Sequence, residues 1–117
     1  MEAQPIIDRE TFTGLKDLMG ADFVIELIDT YCTETDDLIG KLRQSFEVQD
    51  AVSFGRFAHS IKSSSASLGA LAFSQQAREL EMLGKSNDVS QAGPKVEQLI
   101  ASFLQVKSCL EELRNEP

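Results

Sequence analysis

The chain has 117 residues, which is enough for one domain with a hydrophobic core of its own. Its 11 Lys and Arg residues are outnumbered by 19 Asp and Glu residues, and the formal net charge of -8 disfavours nucleic acid and anionic membrane surfaces as partners. The longest apolar runs are far shorter than the roughly 20 residues of a membrane-spanning helix, so no membrane segment is expected.

Apolar residues recur every three or four positions in five segments, and no segment alternates apolar and polar residues as a strand does. In chain order, the predicted helices are about Asp8 to Met19, Asp22 to Glu47, Ala51 to Leu68, Ala72 to Leu83 and Pro94 to Leu113. This pattern predicts an all-α fold, an antiparallel up-down four-helix bundle with a short additional N-terminal helix across one end. Residues 1–117 would form a single domain, with residues 1–6 and 114–117 as frayed tails.

Residues suited to helix ends support these boundaries. Asp8 and Asp50 are typical caps for the first and third helices. Gly84 is suited to stop the fourth helix, and Pro94 to open the fifth. The first helix is expected to turn one apolar side toward the bundle, formed by Phe12, Leu15, Leu18 and Met19.

His59 is the only histidine, and it lies in the third predicted helix. On a helical wheel it points about 150° away from the middle of the apolar arc, which places it on the solvent side. A lone histidine there is most often an incidental surface residue. Its neighbours favour a second interpretation, because they are small or cationic: Gly55, Arg56, Lys62 and Ser63 one turn away, and Ala66 one turn further.

These surroundings suit a nucleophile that accepts an anionic group. A neutral imidazole offers one nucleophilic nitrogen near pH 7, and Lys62 with Arg56 would neutralise the incoming charge. A phosphoryl group is the anion with that character. Metal binding would need further ligands and no second histidine exists, while no carboxylate lies within a turn of His59 to complete a hydrolytic triad. The residues alone leave the incidental and the nucleophilic interpretations open.

Residues 58–70, AHSIKSSSASLGA, resemble the signature of histidine-containing phosphotransfer (HPt) domains. That signature has His, an apolar residue at +2, Lys at +3, small residues at +4 to +7, and then Leu-Gly. The resemblance extends to residues 19–28 at the start of the second predicted helix, to Asp50 before the third, and to Leu80-Glu81 with Gly84-Lys85 in the fourth.

The resemblance implies a role for each matching residue. His59 would carry the phosphoryl group, and Lys62 would stabilise the phosphoryl oxygens. Ser63 occupies a small position, usually Gly, through which a partner approaches, and its hydroxymethyl group would narrow that access. Glu81 matches a polar position able to bond and orient the imidazole, and Lys85 matches a position that is often basic.

The implied function is a relay step. A receiver domain with an aspartyl phosphate would dock on the His59 face, and the phosphohistidine would later pass its group to another receiver. The expected partners are response-regulator receiver domains and a hybrid sensor histidine kinase. No nucleotide motif is present, so the chain would be a carrier and not an enzyme, with no cofactor of its own and Mg²⁺ on the receiver. Relatives offer receivers an apolar dock, to which four residues here could correspond: Phe12, Leu15, Met19 and Phe23.

Two alternatives concern what the chain does and where it comes from. A helical adaptor would keep the fold and bind a receiver or kinase without carrying phosphate. A module excised from a hybrid kinase is also possible, although the initial Met and the self-contained length favour a free-standing protein. Cys32 and Cys109 have no metal-site spacing and are expected to be reduced thiols, which favours the cytoplasm. Nothing in the sequence demands a dimer, so a monomer is expected.

Overall fold

A computed structural model describes residues 5–116. Within this range the secondary structure consists of five α-helices without strands, which confirms the all-α prediction. The helices are α1 (Arg9–Met19), α2 (Ala21–Glu47), α3 (Ala51–Ser67), α4 (Leu71–Lys85) and α5 (Gly93–Arg114). None of them combines the length and apolar character that crossing a bilayer requires.

Ion pairs between helices establish that neighbouring helices run in opposite directions. Three pairs join α2 to α5, and residue numbers rise along one helix as they fall along the other: Asp29–Arg114, Asp36–Lys107 and Arg43–Glu97. Helices α2 and α3 are joined by residues 48–50, and α3 and α4 by residues 68–70. Such short connections place consecutive helices side by side and antiparallel. Helices α2 to α5 therefore form the predicted up-down four-helix bundle.

The core is built from one apolar stripe on each of the four long helices. A buried polar contact also crosses it, because the Tyr31 hydroxyl of α2 lies 2.6 Å from the Ser65 hydroxyl of α3. Burial raises the pKa of Tyr31 to about 12, so the hydroxyl stays neutral. The most buried apolar residues include Ile28 and Leu42 of α2, Phe54 and Ile61 of α3, Phe73 and Leu80 of α4, and Leu99 and Leu110 of α5.

Helix α1 packs on α2 at one end of the bundle. The Asp8 side chain caps it by accepting from the Thr11 backbone N–H, and the Asp8 N–H donates to the Gly69 carbonyl at 2.7 Å. Phe12 is buried, but the prediction that Leu18 and Met19 face the bundle is wrong, since they are 80% and 46% exposed. Leu18 lies about 120° around the helix from Phe12, and Met19 is at the corner where the chain turns into α2.

The two predicted tails need correction at one residue. Arg114 was expected in a frayed tail, but it is the last residue of α5. Its guanidinium donates to both carboxylate oxygens of Asp29, at 3.0 and 3.1 Å, and this pair holds the last turn on α2. Of the other residues in the predicted tails, residues 5–6 and 115–116 are not helical, and residues 1–4 and Pro117 lie outside the described residues.

Helices α3 and α4 are in backbone contact. Gly84 was predicted to stop the fourth helix, but α4 continues through it to Lys85. A Cβ atom on Gly84 would lie 2.6 Å from the Gly55 Cα and 2.9 Å from the Ala51 carbonyl oxygen. Glycine is therefore needed at position 84 for the close packing against α3, and it does not mark the end of α4. A Cβ on Gly55 would meet nothing closer than 3.5 Å, which is ordinary van der Waals contact.

The two glycines are expected to respond differently to alanine. Gly84→Ala should lower the free energy of unfolding by about 1–3 kcal/mol, because the added Cβ would push against the α3 backbone. Gly55→Ala should leave it unchanged or raise it by up to about 1 kcal/mol, since alanine favours a helix over glycine. Urea unfolding of both variants measures the difference, and equal destabilisation of the two would contradict this account of the contact.

Candidate functional site

His59 projects from the middle of α3 into solvent. Its side chain is 58% exposed, while Ala58 and Ile61 on the opposite side of the helix are fully buried. The structure confirms the solvent-facing position that the helical wheel predicts. The ring is nevertheless held on one side, because Nδ1 lies 2.7 Å from Oε2 of Glu81 on α4.

The Glu81 carboxylate is buried between α3 and α4 and is shared by three side chains. Lys62 Nζ donates to Oε1 at 2.6 Å, while His59 Nδ1 and Lys85 Nζ lie 2.7 and 3.5 Å from Oε2. The hydrogen bond from Lys62 lowers the pKa of Glu81 to about 2, and the hydrogen bond from His59 acts in the same direction against the effect of burial. Glu81 is therefore a buried anion at neutral pH.

This contact determines which nitrogen of His59 can react. An ionised carboxylate only accepts hydrogen bonds, so Nδ1 carries the proton that Glu81 binds. In a neutral imidazole, the lone pair is then on Nε2. The exposed ring thus presents a nucleophilic nitrogen to solvent.

An open groove of about 760 Å³ lies beside the ring, between the N-terminal half of α3 and the C-terminal end of α4. Gly55 and Gly84 both line it, so no side chain blocks this flank of the imidazole. Arg56 and Lys85 add positive charge to its two sides. The remaining lining residues are Ala51, Val52, Ser60 and Asn87, with His59 and Glu81 at the end that carries the ring.

Three predicted site residues do not line this groove: Lys62, which binds Glu81, and Ser63 and Ala66. Ser63 and Ala66 are exposed on the outer side of α3, one and two turns beyond His59. Because both side chains are small, they leave His59 accessible from this side of α3. The predicted apolar dock is only partly exposed, because Phe12 is buried and Leu15 is half-buried, while Met19 and Phe23 are 46% and 44% exposed.

Sequence reasoning missed Ser74, whose hydroxyl donates to the Lys62 carbonyl at 2.8 Å. This bond fixes the start of α4 against α3 at the residue that also binds Glu81. Ser74 precedes Glu81 by seven residues, or two helical turns, and this spacing is the signal that could have found it. No group of three or more potential metal ligands occurs among residues 5–116.

Because Glu81 is ionised in the folded protein, we expect part of the free energy of unfolding to be lost in acid. Its pKa is about 2 in the folded protein against an ordinary 4.5, so its contribution is complete above about pH 5 and is lost as the pH falls toward 2. Glu81→Gln should therefore unfold more easily than wild type at pH 7, and this gap should narrow between about pH 5 and pH 2. Urea unfolding at several pH values measures it.

The matched control for this prediction is Glu79→Gln. Glu79 lies on the same helix, is 51% exposed and pairs with Lys95 at 3.4 Å. An exposed pair contributes little, so this variant should stay close to wild type at both ends of the range. A gap between wild type and Glu81→Gln that is equal at pH 7 and pH 2 would show that the carboxylate charge is not what stabilises this site.

Comparison with known proteins places the chain in a family. Phosphorelay protein LuxU of Vibrio harveyi is 25% identical over 96 residues, which are 82% of this chain and 84% of that protein. The crystal structure of histidine-containing phosphotransfer protein B (HptB) from Pseudomonas aeruginosa PAO1 has the same fold, with a TM-score of 0.89 and 23% identity over 96% of each chain. The family model of the Hpt domain matches residues 26–116, which include His59, Lys62 and Glu81. The chain belongs to the Hpt domain family.

Proposed function

We propose that this chain is a histidine phosphotransfer protein of a two-component phosphorelay, with His59 as the residue that carries the phosphoryl group. The observation that supports this most is the hydrogen bond that His59 Nδ1 donates to Glu81, on a ring that is otherwise exposed. The Hpt family match and the similarity to a phosphorelay protein support the class of reaction.

In the proposed reaction, a receiver domain docks with its aspartyl phosphate in line with His59 Nε2. The Nε2 lone pair forms the N–P bond while the bond between phosphorus and the aspartyl oxygen breaks, and its electron pair leaves with the carboxylate. The ring becomes positively charged, and Glu81 stabilises that charge through the Nδ1 proton. The reverse of these steps transfers the group to the aspartate of another receiver.

Lys62 and the shape of the groove serve this reaction. Lys62 is three residues after His59, so its ammonium can reach oxygens of a phosphoryl group on the ring. Phosphoryl transfer depends mainly on positioning and charge neutralisation, and the acidic residues and Mg²⁺ of the receiver supply the rest. In this proposal the chain needs no cofactor and no nucleotide, and it acts as a carrier.

The proposed partners are receiver domains of response regulators and a hybrid sensor histidine kinase. We place the exchange in the cytoplasm and treat the carrier as a monomer. Cys32 and Cys109 support that compartment, because both are free thiols. Burial raises the pKa of each thiol and makes it less reactive.

The replacement of His59 tests the central claim. Wild type incubated with a radiolabelled phospho-receiver should acquire label that is labile in acid and stable in base. His59→Gln should acquire none and should keep its helicity and its cooperative melting, because the side chain is largely in solvent. Label on His59→Gln at the wild-type level would overturn the assignment. Receiver binding by wild type without any label would favour the adaptor.

The replacement of Lys62 tests charge neutralisation. Lys62→Ala should slow transfer from the phospho-receiver by roughly 10- to 100-fold, because it removes one hydrogen bond to a charged group from the transition state. Its helicity should be unchanged. The control is Lys41→Ala, which removes an exposed lysine that pairs with Asp37 on α2. Rapid-quench measurement of the transfer rate compares the variants, and a wild-type rate in Lys62→Ala would remove this residue from the reaction.

A further inference from the structure

Two lysines share the Glu81 carboxylate unequally. Lys62 Nζ is 2.6 Å from Oε1, and its side chain is 28% exposed. Lys85 Nζ is 3.5 Å from Oε2, and its side chain is 74% exposed. Before phosphoryl transfer, the inner lysine is therefore already engaged, whereas the outer lysine is only loosely associated with the same acid.

This arrangement conflicts with what Lys62 must do in the proposed function. To bind phosphoryl oxygens on His59, its ammonium has to leave Glu81 or share its hydrogen bonds. The Glu81 side chain is only 6% exposed, so it would lose its closest partner in a place that water hardly reaches. His59 Nδ1 would still bind Oε2, but Oε1 would have no donor among residues 5–116, and a buried carboxylate oxygen that loses its donor is costly. Another cation at Glu81 would therefore stabilise the phosphorylated state.

We propose that Lys85 is a positioning residue that takes over Glu81 when Lys62 turns to the phosphorylated His59. This inference rests on the proposed function. Glu81 then keeps a cationic partner, and its hydrogen bond to Nδ1 survives the change. Lys85 acts on the reaction through Glu81 and not through contact with the phosphoryl group.

The position of Lys85 suits this role. It follows Glu81 by four residues on α4, the spacing at which helical side chains meet. Within residues 5–116, Glu81 is the one acidic side chain within 4 Å of its ammonium. Its exposed side chain is free to close the remaining distance, and no other ion pair in the described part of the chain has to break.

The backbone around Lys62 does not need to move. Ser74 donates to the Lys62 carbonyl at 2.8 Å and holds this turn of α3 against α4. Only the Lys62 side chain then turns, and lysine has a long flexible stem that permits it. Arg56 faces the same groove from α3 but lies on the other side of it from Lys85, and it makes no ion pair with Glu81 in residues 5–116.

The experiment is a double-mutant cycle on the equilibrium of phosphoryl transfer. Phospho-receiver and carrier are mixed, and the labelled fraction of the carrier is measured for wild type, Lys85→Gln, Glu81→Gln and the double variant. Lys85→Gln should lower the transfer equilibrium constant by about two- to fivefold, the range of a partly exposed ion pair. In the Glu81→Gln background the same change should cause no further loss. Lys85→Arg should behave as wild type.

The control is Lys95→Gln. Lys95 forms a similarly loose ion pair with Glu79, at 3.4 Å, but this pair lies away from the groove. This variant should leave the equilibrium unchanged. Equal losses from Lys85→Gln with and without Glu81 would overturn the inference, since Lys85 would then act on the phosphoryl group directly. A wild-type equilibrium in Lys85→Gln would also overturn it. Failure of the proposed function looks different, because wild type would then acquire no label.

A second measurement follows the two ammonium groups. In ¹⁵N-lysine-labelled protein, phosphorylation should shift the Lys62 ammonium signal and slow the hydrogen exchange of the Lys85 ammonium, as expected when it gains a close carboxylate partner. A Lys85 signal that is unchanged while the Lys62 signal shifts would contradict the exchange of partners. Lys95 again provides the reference signal.

Discussion

The contact between the α3 and α4 backbones at Gly55 and Gly84 is the constraint on which the site depends. Glu81 precedes Gly84 by one turn, and His59 follows Gly55 by one turn on the antiparallel neighbour. The spacing of the two helices at the glycines thus sets the distance between carboxylate and imidazole. A carboxylate side chain is short and a hydrogen bond tolerates only a few tenths of an ångström, so wider spacing would separate the two groups.

Glu81 links the stability of the bundle to its chemistry. A charge buried at a helix interface is costly unless partners surround it, and here Lys62 and His59 occupy its two oxygens. The same two bonds hold the imidazole in one tautomer and keep a lysine beside it. Two polar contacts in the following turns of α3, Ser74 with the Lys62 carbonyl and Tyr31 with Ser65, fix α3 against α4 and α2. The imidazole is exposed, but the carboxylate that orients it is buried.

The sequence predicts those features that depend on one helix at a time. Apolar spacing gives five helices and places His59 outward, and Asp8 and Asp50 cap their helices as predicted. The failures concern contacts between helices. A glycine near the end of an apolar pattern is typical of a helix stop, and only the packing on α3 shows that Gly84 instead permits close contact between the two backbones. The sequence has no carboxylate within one turn of His59, because the residue that binds the ring, Glu81, is 22 residues away on α4. Only the family resemblance indicates a role for Glu81.

The charge distribution explains how an acidic chain can offer a site for an anionic group. The whole protein carries a formal net charge of -8, yet three cations, Arg56, Lys62 and Lys85, surround His59 with Glu81 as the one acid among them. Acidic surface elsewhere repels a phosphorylated partner, and like-charge contacts suppress wrong docking orientations. A carrier must also release what it binds. In the proposed function, Lys62 already has a carboxylate partner before transfer and gains less from the phosphoryl group than an unpaired lysine would, and this smaller gain favours transfer to the next aspartate.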